Sequence, residues 1–208
     1  MRLRFLAPAT LVFVSLASAQ AKENPSAPGT DQVSAAAVLR ELNLARENPS
    51  LYATFVAEVR PFHMIEHGRA VDEAVHFLKK ARSLPPLALS AGICRAAADH
   101  CAEQIDGQLG HDGNNRSSPG DRISRYGSWS TTWGENISYS RKTAREVVLA
   151  LIIDDGVRSR GHRKNIFNPK FNCAGAAFGP HARYRTVCTI DFAGGYAERA
   201  EPLVAKNP

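Results

Sequence analysis

Only four cysteines, Cys94, Cys101, Cys173 and Cys188, stand in 208 residues, and no two form a C-x-x-C pair. That absence excludes a zinc ribbon and a thioredoxin-type redox motif. No G-x-S-x-G is present, so a nucleophile elbow is excluded as well, and no cysteine lies in a motif that marks a nucleophile. Long apolar runs are missing beyond residue 19, where nothing approaches the roughly 20 residues of a membrane-spanning helix. Internal repeats and low-complexity tracts are absent, which removes solenoids and biased linkers. The cations are scattered except at Arg158-Ser159-Arg160 and Arg163-Lys164. That distribution leaves no nucleic-acid footprint, and the two short runs read as a solvated face.

What is present begins with a leader. Arg2 and Arg4 precede an apolar run from Phe5 to Leu16, and Ala17-Ser18-Ala19 follows as a small-residue cleavage pattern. Residues 1–19 thus read as a secretory signal peptide cut after Ala19, which places the mature chain outside the cell or in the periplasm. Residues 20–33 carry Pro25, Pro28 and Gly29 and read as a flexible leader. Residues 34–197 fit one domain of ordinary size, and residues 198–208 read as a flexible tail. Loss of Arg2 and Arg4 lowers the formal charge from +6 by two, to +4, a mildly basic balance.

Helical spacing is plain over 34–47, 51–59 and 70–82, broken by Asn48-Pro49 and Pro85-Pro86. Ser90 is a candidate N-cap for a helix reaching about Asp106, with Cys94, Ala97, Ala98, Cys101 and Ile105 on its inner face. Gly107 to Trp133 reads as a long polar stretch without regular structure, the kind of segment that often carries function. Within it Asp112-Gly113-Asn114 resembles a calcium loop faintly, without the glycine and terminal glutamate of an EF-hand. Thr143 and Glu146 form a capping box ahead of a helix that ends in Asp154 and Asp155. Two strands follow, 173–178 and 185–192, with Gly179-Pro180-His181-Ala182 as the turn. Helices early and strands late predict an α+β fold with a mostly antiparallel sheet.

A turn centred between Pro180 and His181 places Cys173 opposite Cys188 at near-bonding distance, so these two are expected to form a disulfide. Cys94 and Cys101 cannot pair within one helix, because seven residues rise about 10.5 Å. They are expected as buried thiols. Asp154 and Asp155 close a helix at the end where its dipole disfavours negative charge, so a cation or a histidine is expected beside them. Trp129, Tyr126 and Trp133 flank Gly134-Glu135, either lining a cleft or packing under the loop. His63, His67, His76, His100 and His181 have no motif around them and read as surface or satisfied core histidines.

Six segments in order carry a resemblance: Leu42-Asn43-Leu44-Ala45-Arg46, Leu84-Pro85-Pro86-Leu87-Ala88-Leu89, Gly110-His111, Gly134-Glu135-Asn136-Ile137, Gly161-His162-Arg163-Lys164-Asn165-Ile166 and Asp191-Phe192-Ala193. Together, over about residues 37–196, they resemble the CAP superfamily of cysteine-rich secretory, antigen-5 and pathogenesis-related proteins, in its bacterial form. The resemblance implies a three-layer α-β-α sandwich and a central cleft lined by two histidines and two acids. Carried over, the cleft residues are His111, Glu135 and His162, with Asp154 or Asp155 where the family usually has a glutamate. His111, His162 and Glu135 are the expected ligands of zinc or another weakly held divalent cation. The resemblance implies a secreted, non-enzymatic ligand-binding or interaction module. Its partner would be a lipid-like small molecule or an envelope or host surface. The alternative is a metal-assisted or acid–base hydrolase using the same cleft.

Overall fold

The computed structural model describes residues 34–59, 65–66 and 68–200. The expected signal peptide and leader, His63, His67 and residues 201–208 lie outside the described residues. Helices α1 (Ala35–Glu47), α2 (Pro49–Glu58) and α3 (Arg69–Lys80) come first, then the short strand β1 (Ala88–Leu89) and α4 (Ala91–Glu103). After a 3₁₀ turn at Asn114–Arg116 follow α5 (Pro119–Tyr126), β2 (Gly127–Tyr139), α6 (Ala144–Ile153), α7 (Gly161–Ile166), β3 (Cys173–His181) and β4 (Arg185–Glu198).

The helix starts follow from their caps. Ser34, Ser90 and Thr143 each accept a hydrogen bond from a backbone N–H three residues on, satisfying a donor that the first turn leaves free. Thr143 and Glu146 complete a reciprocal capping box, and so do Ser118 and Asp121. Pro49 ends α1 and sits in the first turn of α2, where its missing N–H costs nothing.

The sheet runs in the order β1-β3-β4-β2, with β1 parallel to β3 and the other two pairs antiparallel. It is therefore mixed, and antiparallel for most of its length. Ile190 and Phe192 of β4 belong to the core formed with α1, α2, α3 and α6. Ala193 and Cys173 pack on the other face with Ile93, Ala96 and Ile123 of α4 and α5. Helices thus cover both faces, which gives the three-layer α-β-α arrangement. α4 lies close on β3: a β-carbon on Gly175 would stand 2.2 Å from the Cys94 backbone nitrogen.

Two motif residues of α1 turn out to be struts. The Asn43 side chain accepts from the Leu87 N–H (2.8 Å) and donates to the Leu87 carbonyl (3.0 Å). The buried Arg46 guanidinium donates to carbonyls of Pro85, Ile166, Asn168 and Phe171. Chain segments distant in sequence are thereby fixed to one helix.

Three expectations are corrected. The stretch 107–133 contains α5 and the start of β2, because Ser118 and Asp121 cap a short amphipathic helix within its polar composition. The inner face of α4 is Ile93, Ala96, Ala97, His100 and Cys101, while Ile105 is exposed. The Cys173–Cys188 disulfide does not form: all four cysteines are free. β3 continues through Gly179-Pro180, and the chain reverses at 182–184. Cys173 is then opposite Ala193, and Cys188 opposite Phe178. The two thiols face different layers of the sandwich. Proline is tolerated there because β1 covers only Cys173 and Ala174, which leaves that edge of β3 open at position 180. Burial pushes all four thiols above their usual range, so none is poised as a thiolate.

The chain should accordingly yield four reactive thiols when denatured without reductant, and reductant should leave its melting temperature unchanged. A non-reducing peptide map with Cys173 linked to Cys188 would contradict this register.

Candidate functional site: two histidine–acid pairs on an edge strand

Strand β2 ends the sheet order and carries Gly134-Glu135-Asn136-Ile137. Successive residues of a strand point to opposite faces. Glu135 turns toward α4 and α5, and Asn136 toward α7.

On the first face, Glu135 Oε1 accepts from His111 Nδ1 (2.7 Å) and Oε2 from Arg122 Nη2 (2.7 Å). The Glu135 and Arg122 side chains are almost wholly buried, whereas the His111 ring is half exposed. Arg122 also donates to the carbonyls of His111 (3.0 Å) and Ser117 (2.8 Å), so one guanidinium holds both the acid and the loop that brings its histidine. Gly113 lets that loop pass: a β-carbon there would lie 2.2 Å from Glu103 Oε2 and 2.9 Å from Arg122 Nη1.

Beneath lies Asp191, directly across the β2–β4 ladder from Glu135 and completely buried. Burial, and then the negative charge of Glu135, hold the Asp191 carboxyl well above the usual range, against the pull of Arg122. Neither Asp191 oxygen accepts a hydrogen bond from a described residue. A protonated Asp191 would resolve this by donating to the Glu135 carboxylate across the ladder. His100 joins the same region. Its Nδ1 lies 3.0 Å from Glu103 Oε2, and its Nε2 lies 2.9 Å from the Gly110 carbonyl and 2.7 Å from the Gln104 amide nitrogen. It is a satisfied core histidine, 3.9 Å from Glu135.

On the second face, Asp154 ends α6 in the left-handed conformation (φ 57°). Oδ1 accepts from His162 Nδ1 (2.6 Å) and Oδ2 from the His162 backbone N–H (3.0 Å). The expected histidine beside this helix end is therefore His162. The freed carbonyls of α6 are taken by arginine: Arg163 donates to Ile152 and Ile153, and Arg160 to Asp154. Cations at a helix C-terminus complement its dipole. Arg160 and Arg163 are buried, a correction to their reading as a solvated face; both also pair with Glu73. Asp155 turns away from His162 and accepts from the backbone N–H groups of Ile65 (3.3 Å) and Glu66 (3.1 Å).

An amide joint connects the faces. Asn136 Nδ2 donates to the His162 carbonyl (3.0 Å), and Asn165 Nδ2 donates to Asn136 Oδ1 (2.9 Å) and the Glu135 carbonyl (3.2 Å). Among the described residues no hydrogen bond or ion pair links a side chain of one pair to a side chain of the other. No group of three or more His, Cys, Asp or Glu there stands close enough together to hold a metal ion. The residues as placed do not fit a zinc centre on His111, Glu135 and His162, which needs at least three protein ligands.

Residues 39–192 match the family described as CAP, the cysteine-rich secretory protein family. The chain belongs to this family. A curated relative, the "Uncharacterized protein YkwD" of Bacillus subtilis (strain 168), is 29% identical over 119 residues, 57% of this chain and 44% of its own length. An extracellular SCP-domain protein of Bacillus anthracis str. Ames is 23% identical, with TM-score 0.43 over 62% of this chain and 39% of its own. An outer surface protein of Borrelia burgdorferi is 14% identical, with TM-score 0.45 over 73% of this chain and 95% of its own. The chain thus spans less than half the length of the first two relatives.

Of the CAP-like positions, His111 and Glu135 meet on one face, and His162 and Asp154 on the other. Trp129, Tyr126 and Trp133 pack beside Ile93, Ala96 and Ile123. Sequence reasoning missed Asp191 and Arg122. Asp191 stood only as the end of a strand motif, although an acid in a run of buried strand residues is itself a signal.

Asp191→Asn tests the neutral assignment. An unfolded aspartate titrates near 3.9, and the folded group titrates higher. The folded chain therefore holds an extra proton between the two values, and that stability is lost as pH rises through the folded value. Asn keeps shape, neutrality and a donor. Urea midpoints should show the variant gaining on the wild type from pH 4 to pH 8. A variant less stable at pH 8 than at pH 4, relative to wild type, would contradict a neutral Asp191.

Proposed function

We propose that this CAP domain belongs to an exported chain and acts as a non-enzymatic ligand-binding or interaction module, its ligand lying along the free edge of β2. One observation carries this reading. A groove of about 380 Å³ runs there, its lining divided between apolar or aromatic residues such as Ile137, Tyr139, Leu151 and Val157 and polar ones such as Ser138, Arg141, Asp154 and His162. Small-molecule sites are apolar for the most part, with few polar groups placed to orient the ligand. Here those polar groups bind each other, which braces the floor without a nucleophile. A lipid-like molecule suits such walls. Among the described residues no helix is long and apolar enough to cross a membrane.

A second reading, an acid–base hydrolase, is favoured by the His162–Asp154 pair. A carboxylate on Nδ1 orients the ring and leaves Nε2 free to take a proton from water. Glu135 has no part in that step, because its oxygens are engaged on the other face.

A peptide and ester panel, run beside a lipid-binding screen, separates the two. The module reading expects no turnover by the wild type and lipid binding that persists in a folded His162→Ala variant. Ester or peptide turnover by the wild type, lost in that variant with its circular dichroism unchanged, would establish the hydrolase instead.

A further inference from the structure

Several cations of this domain are tied to specific partners, and others stand without an ion pair among the described residues. Arg46, Arg122, Arg145, Arg160 and Arg163 are committed to carbonyls or carboxylates inside the fold. Arg141, Lys142, Arg183 and Arg185 form no ion pair among the described residues, and they cluster where β2 ends and the β3–β4 hairpin turns. Arg141 is the most telling. Its side chain is half-buried and lines the groove of His162, yet its buried Nε has no hydrogen-bond partner. A guanidinium has five N–H donors, and leaving a buried one unmade is costly.

The surroundings are tied together by hydrogen bonds. Ser140 donates from its N–H to the Thr186 carbonyl (3.1 Å) and from its hydroxyl to the Tyr184 carbonyl (3.1 Å). Thr186 Oγ1 donates to the Arg141 carbonyl (2.9 Å). Ser140 (φ 61°) and Arg185 (φ 68°) occupy the left-handed region that non-glycine residues seldom adopt. Next to the groove a second depression of about 370 Å³, lined by Lys142, Arg183 and Arg185, shares Ser140 and Tyr184 with it. The carboxylates in the groove wall are already engaged, Asp154 by His162 and Asp155 by the N–H groups of residues 65 and 66.

We propose that this junction is an anion subsite, and that the groove takes a molecule with a phosphate head and an apolar body. Arg141 grips the head, with Lys142, Arg183 and Arg185 supplying attraction around it. Val157, Tyr139 and Tyr184, with the edges of the buried Ile137 and Leu151, receive the body. Charged hydrogen bonds from arginine to phosphate are short and strong, and apolar burial adds affinity in proportion to area. The proposal rests on the groove being a ligand site and narrows the ligand's chemistry.

Calorimetry on the whole chain with three probes decides it: decyl phosphate, decanol and inorganic phosphate. Decyl phosphate should bind tightest. Arg141→Gln should weaken it at least about tenfold, the scale of one charged hydrogen bond, and leave decanol binding unchanged. Lys80→Gln, an exposed cation on α3, should bind decyl phosphate as the wild type does. Tightest binding by inorganic phosphate would point to a free anion as ligand and overturn the apolar body. Equal binding of decanol and decyl phosphate would overturn the subsite while leaving the module reading intact. Unchanged binding in Arg141→Gln, an equal loss in Lys80→Gln, or no binding of any probe would also overturn it, and the lipid screen would then judge the module reading separately.

Discussion

Glu135 and Asn136 are neighbours on a strand, and a strand sends neighbours to opposite faces. The layout of the candidate site depends on that constraint. Glu135 enters the α4–α5 layer, where Arg122 and His111 meet it. Asn136 enters the α6–α7 side, where it holds the backbone of His162. A single motif therefore anchors two histidine–acid pairs and keeps them apart, while Asn165 stitches both to the same edge. The free edge of β2 is where the proposed ligand would lie.

The polar interior is stable because nearly every charge has a partner. Arg122 would be very costly alone at full burial, and Glu135 equally so. Together, with His111 above, they offset each other's charge, and the Asp191 carboxyl below is held above its usual range by burial and by Glu135. At the far end of α6, Arg160 and Arg163 take the carbonyls that the helix cannot use, and Asp154 takes N–H groups of the next helix. The motif Gly161-His162-Arg163 is thus half scaffold: Arg163 ties down α6 while His162 faces the groove. Against this background the uncommitted cations around Arg141 stand out.

Local chemistry was legible in the sequence wherever its cause was local. Ser90 and Thr143 announced helix starts, because a cap needs only three residues to act. The three-layer fold followed from six ordered motifs. What failed depended on tertiary context. Gly179-Pro180 has turn composition, yet it lies within β3, because the open edge beyond Ala174 removes the penalty on proline; the misplaced turn then misplaced the disulfide. The basic run at 158–164 has surface composition, yet two of its arginines are buried by helix carbonyls and Glu73 that no spacing reveals. His111, Glu135, His162 and Asp154 were legible as residues. Their division into two pairs was not, since it depends on the strand's facing and on where the left-handed turn at Asp154 sends the chain. Arg122 was silent because nothing in a short polar helix tells which arginine points inward.

The separateness of the pairs is the central claim, and histidine titration by NMR tests it most directly. Sites that interact by more than about one pK unit titrate together. The account predicts that the His162 ring titrates alike in wild type and in His111→Ala, that the His111 ring titrates alike in wild type and in His162→Ala, and that added zinc does not shift both rings at one stoichiometry. A displacement of either curve by a pK unit on loss of the other histidine, or a joint shift at one zinc per chain, would mean that the four residues form one centre.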